Sequence, residues 1–305
     1  MANTTFSGPV RSENGFAIAN KNSGTGIVTD SSLHSSANKD VRRYYLEEYW
    51  KQRPALNAVA SAPLTDADAT AAANDAIIIA RAIASRDFEV LGTSMTTALC
   101  TFDTTRAGII ITTAGTDQNQ AIIAPHLDTN QSSWQTVPWG TENQVTWECT
   151  VTTAASIADI KLWAGLKLTN DQLIVTDANQ AYFKFQTDAT NSEAFTDFTL
   201  LHFVHSIADT DYISALPITV AADTQYHLKI VIDSNRKASI YVNGIQYNVT
   251  STSGSTGGTA VTTGTDKTAA LTEVDLIPYI GVETGTGGAK ALKVHSQAIS
   301  RLIFE

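Results

Sequence analysis

The spacing best suited to acid chemistry in this chain is Glu273-Val274-Asp275-Leu276-Ile277. On a strand, residues two apart share a face, so a Glu-x-Asp-x-Glu run sets two glutamates together as acid and nucleophile for glycoside hydrolysis. Here Ile277 holds the last position, and the pair is incomplete. Glu142 and Glu148 lie on either side of Trp147's neighbourhood with no motif to join them. The chain is therefore expected to be no enzyme and to carry no catalytic residue. Trp134 and Trp139 flank a short loop, Trp-Gln-Thr-Val-Pro-Trp, where indoles can stack on sugar rings; the plainer role is to pin the loop. These two are the candidate glycan contacts, whereas Trp147 and Trp163 fall within strand-like runs and are expected in the core.

Metal and nucleophile chemistry is sparsely supplied. His202 and His205 fall on opposite faces of one expected strand, against joint ligation, and His126 and His227 are isolated. Asp188, Asn191, Asp209 and Asp211 offer oxygen ligands without a calcium-loop pattern. No C-x-x-C, H-E-x-x-H, G-x-S-x-G or phosphate loop is present. Cys100 and Cys149 are expected as buried free thiols, and no metal or other cofactor is expected.

The elements that position these groups are mostly strands. Asp223 to Val249, DTQYHLKIVIDSNRKASIYVNGIQYNV, spells a three-strand meander. Leu228, Ile230 and Ile232 alternate with His227, Lys229 and Val231, as on a half-buried strand. A polar turn follows, then Ala238 to Val242, and Asn243-Gly244 supplies a hairpin turn that needs positive φ at both central positions. Upstream, strand-like runs begin near Phe88 and recur at Leu99 to Phe102, Gly108 to Thr113, Gln120 to Ala124, Gln144 to Thr152, Lys161 to Leu168, Ala181 to Thr187 and Phe198 to His205. Pro278 to Glu283 and Lys290 to Ile303 close the set. Many short strands with regular turns predict a mainly β jelly-roll sandwich over residues 88–305. The Thr250 to Thr272 stretch is low in complexity and expected as a loop at the rim.

The N-terminal part reads differently. Residues 1–38 are rich in Ser, Thr, Asn and Gly, with spaced apolar anchors at Phe6, Val10, Phe16 and Ile18. Such a segment cannot bury enough apolar surface to fold alone, and is expected as an extended arm that orders on a partner. Residues 39–87 are expected as a helical and irregular connector. Its KDVRRYYLEEYWKQR run is read as a short helix capped by Asn38 and stopped by Pro54, with Tyr44, Tyr45, Tyr49 and Trp50 as anchors. Those aromatics serve either the chain's own domain or a partner.

Composition sets the limits. The chain has 305 residues, a net charge of −10 and a pI near 5.0. Acidity, with Arg42, Arg43, Lys51 and Arg53 interleaved by Glu47 and Glu48, points away from nucleic acid. No apolar run approaches membrane-spanning length, and the first residues lack the pattern of a secretory signal.

Two resemblances add to this. Asp223 to Asp233, Tyr241 to Gly244 and Pro278 to Val282 resemble the closing half of concanavalin A-like jelly rolls of the laminin-G or glucanase type. The resemblance implies the fold of residues 88–305 and says little of function. The opening MANTTFSGPVRSENGF, with AIIAPHLDTNQSSW from Ala121 to Trp134 and LWAGLKLTN from Leu162 to Asn170, looks like structural proteins of marine tailed bacteriophages of cyanobacterial hosts. That resemblance implies a virion protein made in the host cytoplasm, most simply a capsid decoration (cement) protein. Its partners would be the major capsid protein and sister copies, and the symmetry of capsid sites would suit a homotrimer. The alternative is a tail- or fibre-associated adhesin that binds a host-surface glycan.

Overall fold

The computed structural model describes residues 19–21, 28–30, 42–59, 85–125, 139–168, 177–188 and 197–303. Phe6, Val10, Phe16, Ile18 and Trp134, and most of the expected arm, lie outside them. In chain order the strands are β1 (Ala19–Lys21), β2 (Val28–Asp30), β3 (Arg43–Glu48), β4 (Pro54–Val59), β5 (Ser85–Thr93), β6 (Cys100–Phe102), β7 (Ile109–Thr112), β8 (Gln120–Pro125), β9 (Thr146–Thr153) and β10 (Ile160–Lys167). They continue with β11 (Gln180–Gln186), β12 (Leu200–Ile207), β13 (Thr210–Thr219), β14 (Gln225–Ile232), β15 (Ala238–Val242), β16 (Ile245–Tyr247), β17 (Gly254–Ala260), β18 (Ile277–Thr284) and β19 (Ala291–Leu302). Residues 1–41 and 42–305 are separate compact units. In the first, β1 and β2 pair antiparallel.

The second unit is a two-sheet sandwich of jelly-roll type. Nine strands run in the order β17-β13-β12-β11-β10-β18-β8-β5-β4, and seven in the order β16-β15-β14-β9-β19-β7-β6, with β3 paired to β19. Consecutive strands β8 and β9, β9 and β10, β13 and β14, and β18 and β19 sit in different sheets, so the chain crosses repeatedly between layers. Period two then decides the core. Trp147, Cys149 and Val151 on β9, Leu228 and Ile230 on β14, and Ile299 on β19 meet Leu162, Ala164 and Leu166 on β10, Phe183 and Phe185 on β11, and Ile280 and Val282 on β18. Both cysteines are buried and free; burial lifts the Cys100 thiol to about 11 and also pushes the Cys149 thiol well up from its ordinary range. The meander forms as expected, with Asn243 and Gly244 at φ 51° and 81°.

Three expectations are corrected. Within the expected helix of residues 39–53, Arg43–Glu48 is strand β3, which pairs with β19 from Arg43↔Leu302 to Glu48↔Gln297. Tyr44, Tyr45 and Leu46 suit a pleated surface, and β7 covers β19 only as far as Val294, leaving this part of its edge open to β3. Pro54 stops no helix; it opens β4, an edge strand, where its missing N–H costs no ladder bond. Strands β3 and β4 thus belong to the sheets, where a helical connector was expected. The 250–272 stretch also departs from a plain loop, since β17 runs parallel beside β13.

Candidate functional site

The outer face of the nine-stranded sheet carries the densest chemistry. On β10 the residues turned from the core are Lys161, Trp163, Gly165 and Lys167; on β11 they are Gln180, Tyr182, Lys184 and Gln186. Strand β18 adds Tyr279 and Glu283, β8 adds Gln120, and β12 adds His202 and Ser206. The registers Lys161↔Gln186, Trp163↔Lys184, Lys161↔Glu283 and Glu283↔Gln120 set these side chains in adjoining rows. Trp163, Tyr182 and Tyr279 form the apolar floor with Leu91, Ile122, Val204 and Ile213. Two glycines make that floor possible. A Cβ at Gly281 would meet the Trp163 indole at 2.4 Å, and one at Gly165 would meet the Tyr182 Cα at 2.4 Å.

The lysines, Glu283 and His202 of this face are buried, and their chemistry follows from that. Lys161 Nζ lies 2.9 Å from Glu283 Oε1, and Gln120 Nε2 donates to Glu283 Oε2 at 2.6 Å. Burial raises the Glu283 carboxyl, opposed by the Lys161 charge. Lys167 Nζ lies 3.6 Å from Asp177 Oδ2 and sits 5.0 and 5.5 Å from the Tyr279 and Tyr182 ring centres, a cation held by a carboxylate and two π faces. Burial pushes Lys184 well down from the usual lysine range, and the charges of Lys161 and Lys167 push it further. His202 donates from Nδ1 to the Leu200 carbonyl at 3.0 Å, and burial lowers it to about 4. Gln180 Nε2 donates to Ser206 Oγ at 2.8 Å, and Ser206 donates to Asp211. Lys161, Lys167 and Glu283 thus each meet an opposite charge, while Lys184 and His202 move toward their neutral forms. The Gln186 amide and the Trp163 indole N–H are the groups of this face without a hydrogen-bond partner among the described residues.

The sequence candidates lie elsewhere. Tyr44, 36% exposed, tilts against the buried Trp139 with ring centres 5.9 Å apart. Trp139 is 2% exposed and is a core side chain, not an open stacking platform. Tyr45 is half-buried and Tyr49 is 49% exposed, while Trp50 is buried edge-on to Phe88 at 5.8 Å. The structure does not gather these four aromatics on one surface. His202 and His205 do take opposite faces: His205 stacks between Phe203 and Tyr212 on the core side. Glu148 lies 3.6 Å from His227 on the outer face of the other sheet, and Asp275, raised by burial and then by Glu142, sits beside the Gly140 bridge. No group of three or more metal-ligating side chains occurs among the described residues, and no helix there is long and apolar enough to cross a membrane.

Lysine and glutamine rows were missed because such residues on a strand read as solvated. The available signal was their recurrence with aromatics at period two on β10, β11 and β18 together.

Comparison with known proteins gives distant likenesses only. No family model matches the chain, and no curated protein matches it. Among solved structures, a protein of unknown function from Shewanella oneidensis MR-1 is similar over 85% of this chain and 87% of its own, at 8% identity and a TM-score of 0.44. A family 7 alginate lyase, A1-II', is similar over 70% and 85%, at 16% identity and 0.42. The carbohydrate recognition domain of Emp47p is similar over 72% and 90%, at 6% identity and 0.43. At these scores no functional argument passes from them to this chain.

Proposed function

We propose that the chain is a non-enzymatic structural protein of a tailed-phage virion, and that it decorates the head by binding the major capsid protein. The virion setting rests on the sequence resemblance of the opening residues. The observation that supports a scaffold role is the buried outer face of the nine-stranded sheet, where Lys161 meets Glu283 and Lys167 meets Asp177 at 0–3% side-chain exposure. Charges satisfied within the fold serve its architecture; they are not presented to a substrate. The large hydrophobic residues that the sandwich presents, among those described, are Tyr44, Tyr49, Phe102 and Ile303. Side chains of this kind anchor protein interfaces.

The test is cosedimentation with expanded, tail-less heads. The full chain is expected to saturate the heads, a chain lacking residues 1–38 to lose that binding while its sandwich stays folded, and Tyr49→Ala to weaken it. Full occupancy by the truncated chain would sink the attachment role of the N-terminal segment.

A further inference from the structure

Three side chains on adjacent strands of the nine-stranded sheet stand in an order that suits a covalent reaction. Lys161 on β10, Glu283 on β18 and Gln120 on β8 are in register across the ladder. The Glu283 carboxylate bridges the other two, 2.9 Å from the Lys161 amine through Oε1 and 2.6 Å from the Gln120 amide nitrogen through Oε2. Lys161 and Gln120 start two strand spacings apart, about 9.6 Å, a span that a lysine and a glutamine side chain cover end to end. All three are buried: Glu283 and Gln120 are 0% exposed and Lys161 2%.

We propose that Lys161 and Gln120 join in an intramolecular isopeptide bond, with Glu283 as the proton carrier. The Glu283 carboxylate takes a proton from the Lys161 ammonium, and the freed amine lone pair attacks Cδ of Gln120. The tetrahedral carbon then carries an oxyanion, the attacking nitrogen and the original amide nitrogen. Glu283 returns its proton to the amide nitrogen, the C–N bond to that nitrogen breaks, and the oxyanion closes to a carbonyl. The attacking nitrogen sheds its extra proton through Glu283, and ammonia leaves as ammonium. One C–N bond forms and one breaks, and nothing is oxidised or reduced. Burial assists each stage. It raises the carboxyl of Glu283, which favours the protonated carrier, and it keeps out the water that would hydrolyse the product. The neighbouring Lys184, driven down by burial and by the charge of Lys161, marks a place where holding every amine protonated is costly.

A plain ion pair and an isopeptide bond differ by the mass of ammonia, so intact mass separates them. The folded full chain, aged after purification, is expected to weigh about 17 Da less than its sequence. Tryptic digestion is expected to give a branched peptide joining the Gln120 and Lys161 fragments. Loss of ammonia at Asn243-Gly244, a succinimide, would give the same mass shift without the branch, and counts against the proposal. Glu283→Gln and Lys161→Arg are each expected to restore the full mass. Should either variant fail to fold, the branched peptide in the native chain still decides. A native chain at full sequence mass after prolonged incubation overturns the bond.

Discussion

His205 lies between the rings of Phe203 and Tyr212, at 5.8 and 4.7 Å, where its burial lowers it to about 3; across the strand, burial lowers His202 to about 4. In the unfolded chain both would titrate near 6.5. Between pH 6.5 and 4 the unfolded state therefore binds protons that the folded state refuses, so stability rises with pH across that window and is lost on acidification. Glu283, raised by burial, works in the opposite direction and offsets part of the loss. His205→Phe keeps the stack and removes one proton from the balance. Its stability, from urea unfolding at several pH values, should fall less steeply on acidification, by about 1.4 kcal/mol per pH unit. An unchanged slope would mean that His205 titrates as an ordinary histidine. Lys167 offers a second check at this scale. Lys167→Met leaves the Asp177 carboxylate buried without that cation and is expected to cost about 3–5 kcal/mol in urea unfolding. The double variant with Asp177→Leu should recover most of it.

Arg43 holds β3 to the sandwich. Its guanidinium donates to the Gln144 carbonyl at 2.6 Å, to the Ser300 carbonyl at 3.1 Å and to the Ser300 hydroxyl, tying β3 to β19 and to the turn before β9. Arg43→Ala should leave the two sheets folded but raise amide hydrogen exchange selectively along residues 43–48. Uniform loss of protection would show that β3 is part of the global folding unit. At the level of elements the sequence was legible where alternation and turn chemistry agreed, as in β14 to β16, in β9 and in the closing strands. It misled where a strand's partner lies far away in sequence. Nothing near residues 43–48 announces that β19 leaves an edge for them, and aromatics at spacings of three and four suit a helix as well as a strand. For β17, Gly257 and Gly258 at φ 82° and 71° carry little pattern, and only pairing with β13 gives them a strand. The polar face was hidden for a related reason: alternation identifies the side turned from the core, but not whether that side meets water.

Across the whole sandwich the two inner faces do not close completely. A gap of about 40 Å³ lies between the sheets, lined by Val151, Leu162, Ala164, Phe183, Tyr226 and Leu292 among others. Filling it with Ala164→Val should stabilise the chain by about 1 kcal/mol. That gain would appear as a rise in Tm of about 2–4 °C. A fall in Tm would show that the facing aromatics cannot give way. The pairing of β3 with β19 has a consequence of another kind. Arg43 sits beside Leu302, so both ends of the sandwich leave from one corner of the same sheet. Tension applied between those ends acts across the β3–β19 ladder and peels it open one rung at a time. The sheets behind it are spared shear, and β3 acts as a weak first link that yields before the body of the fold feels the pull.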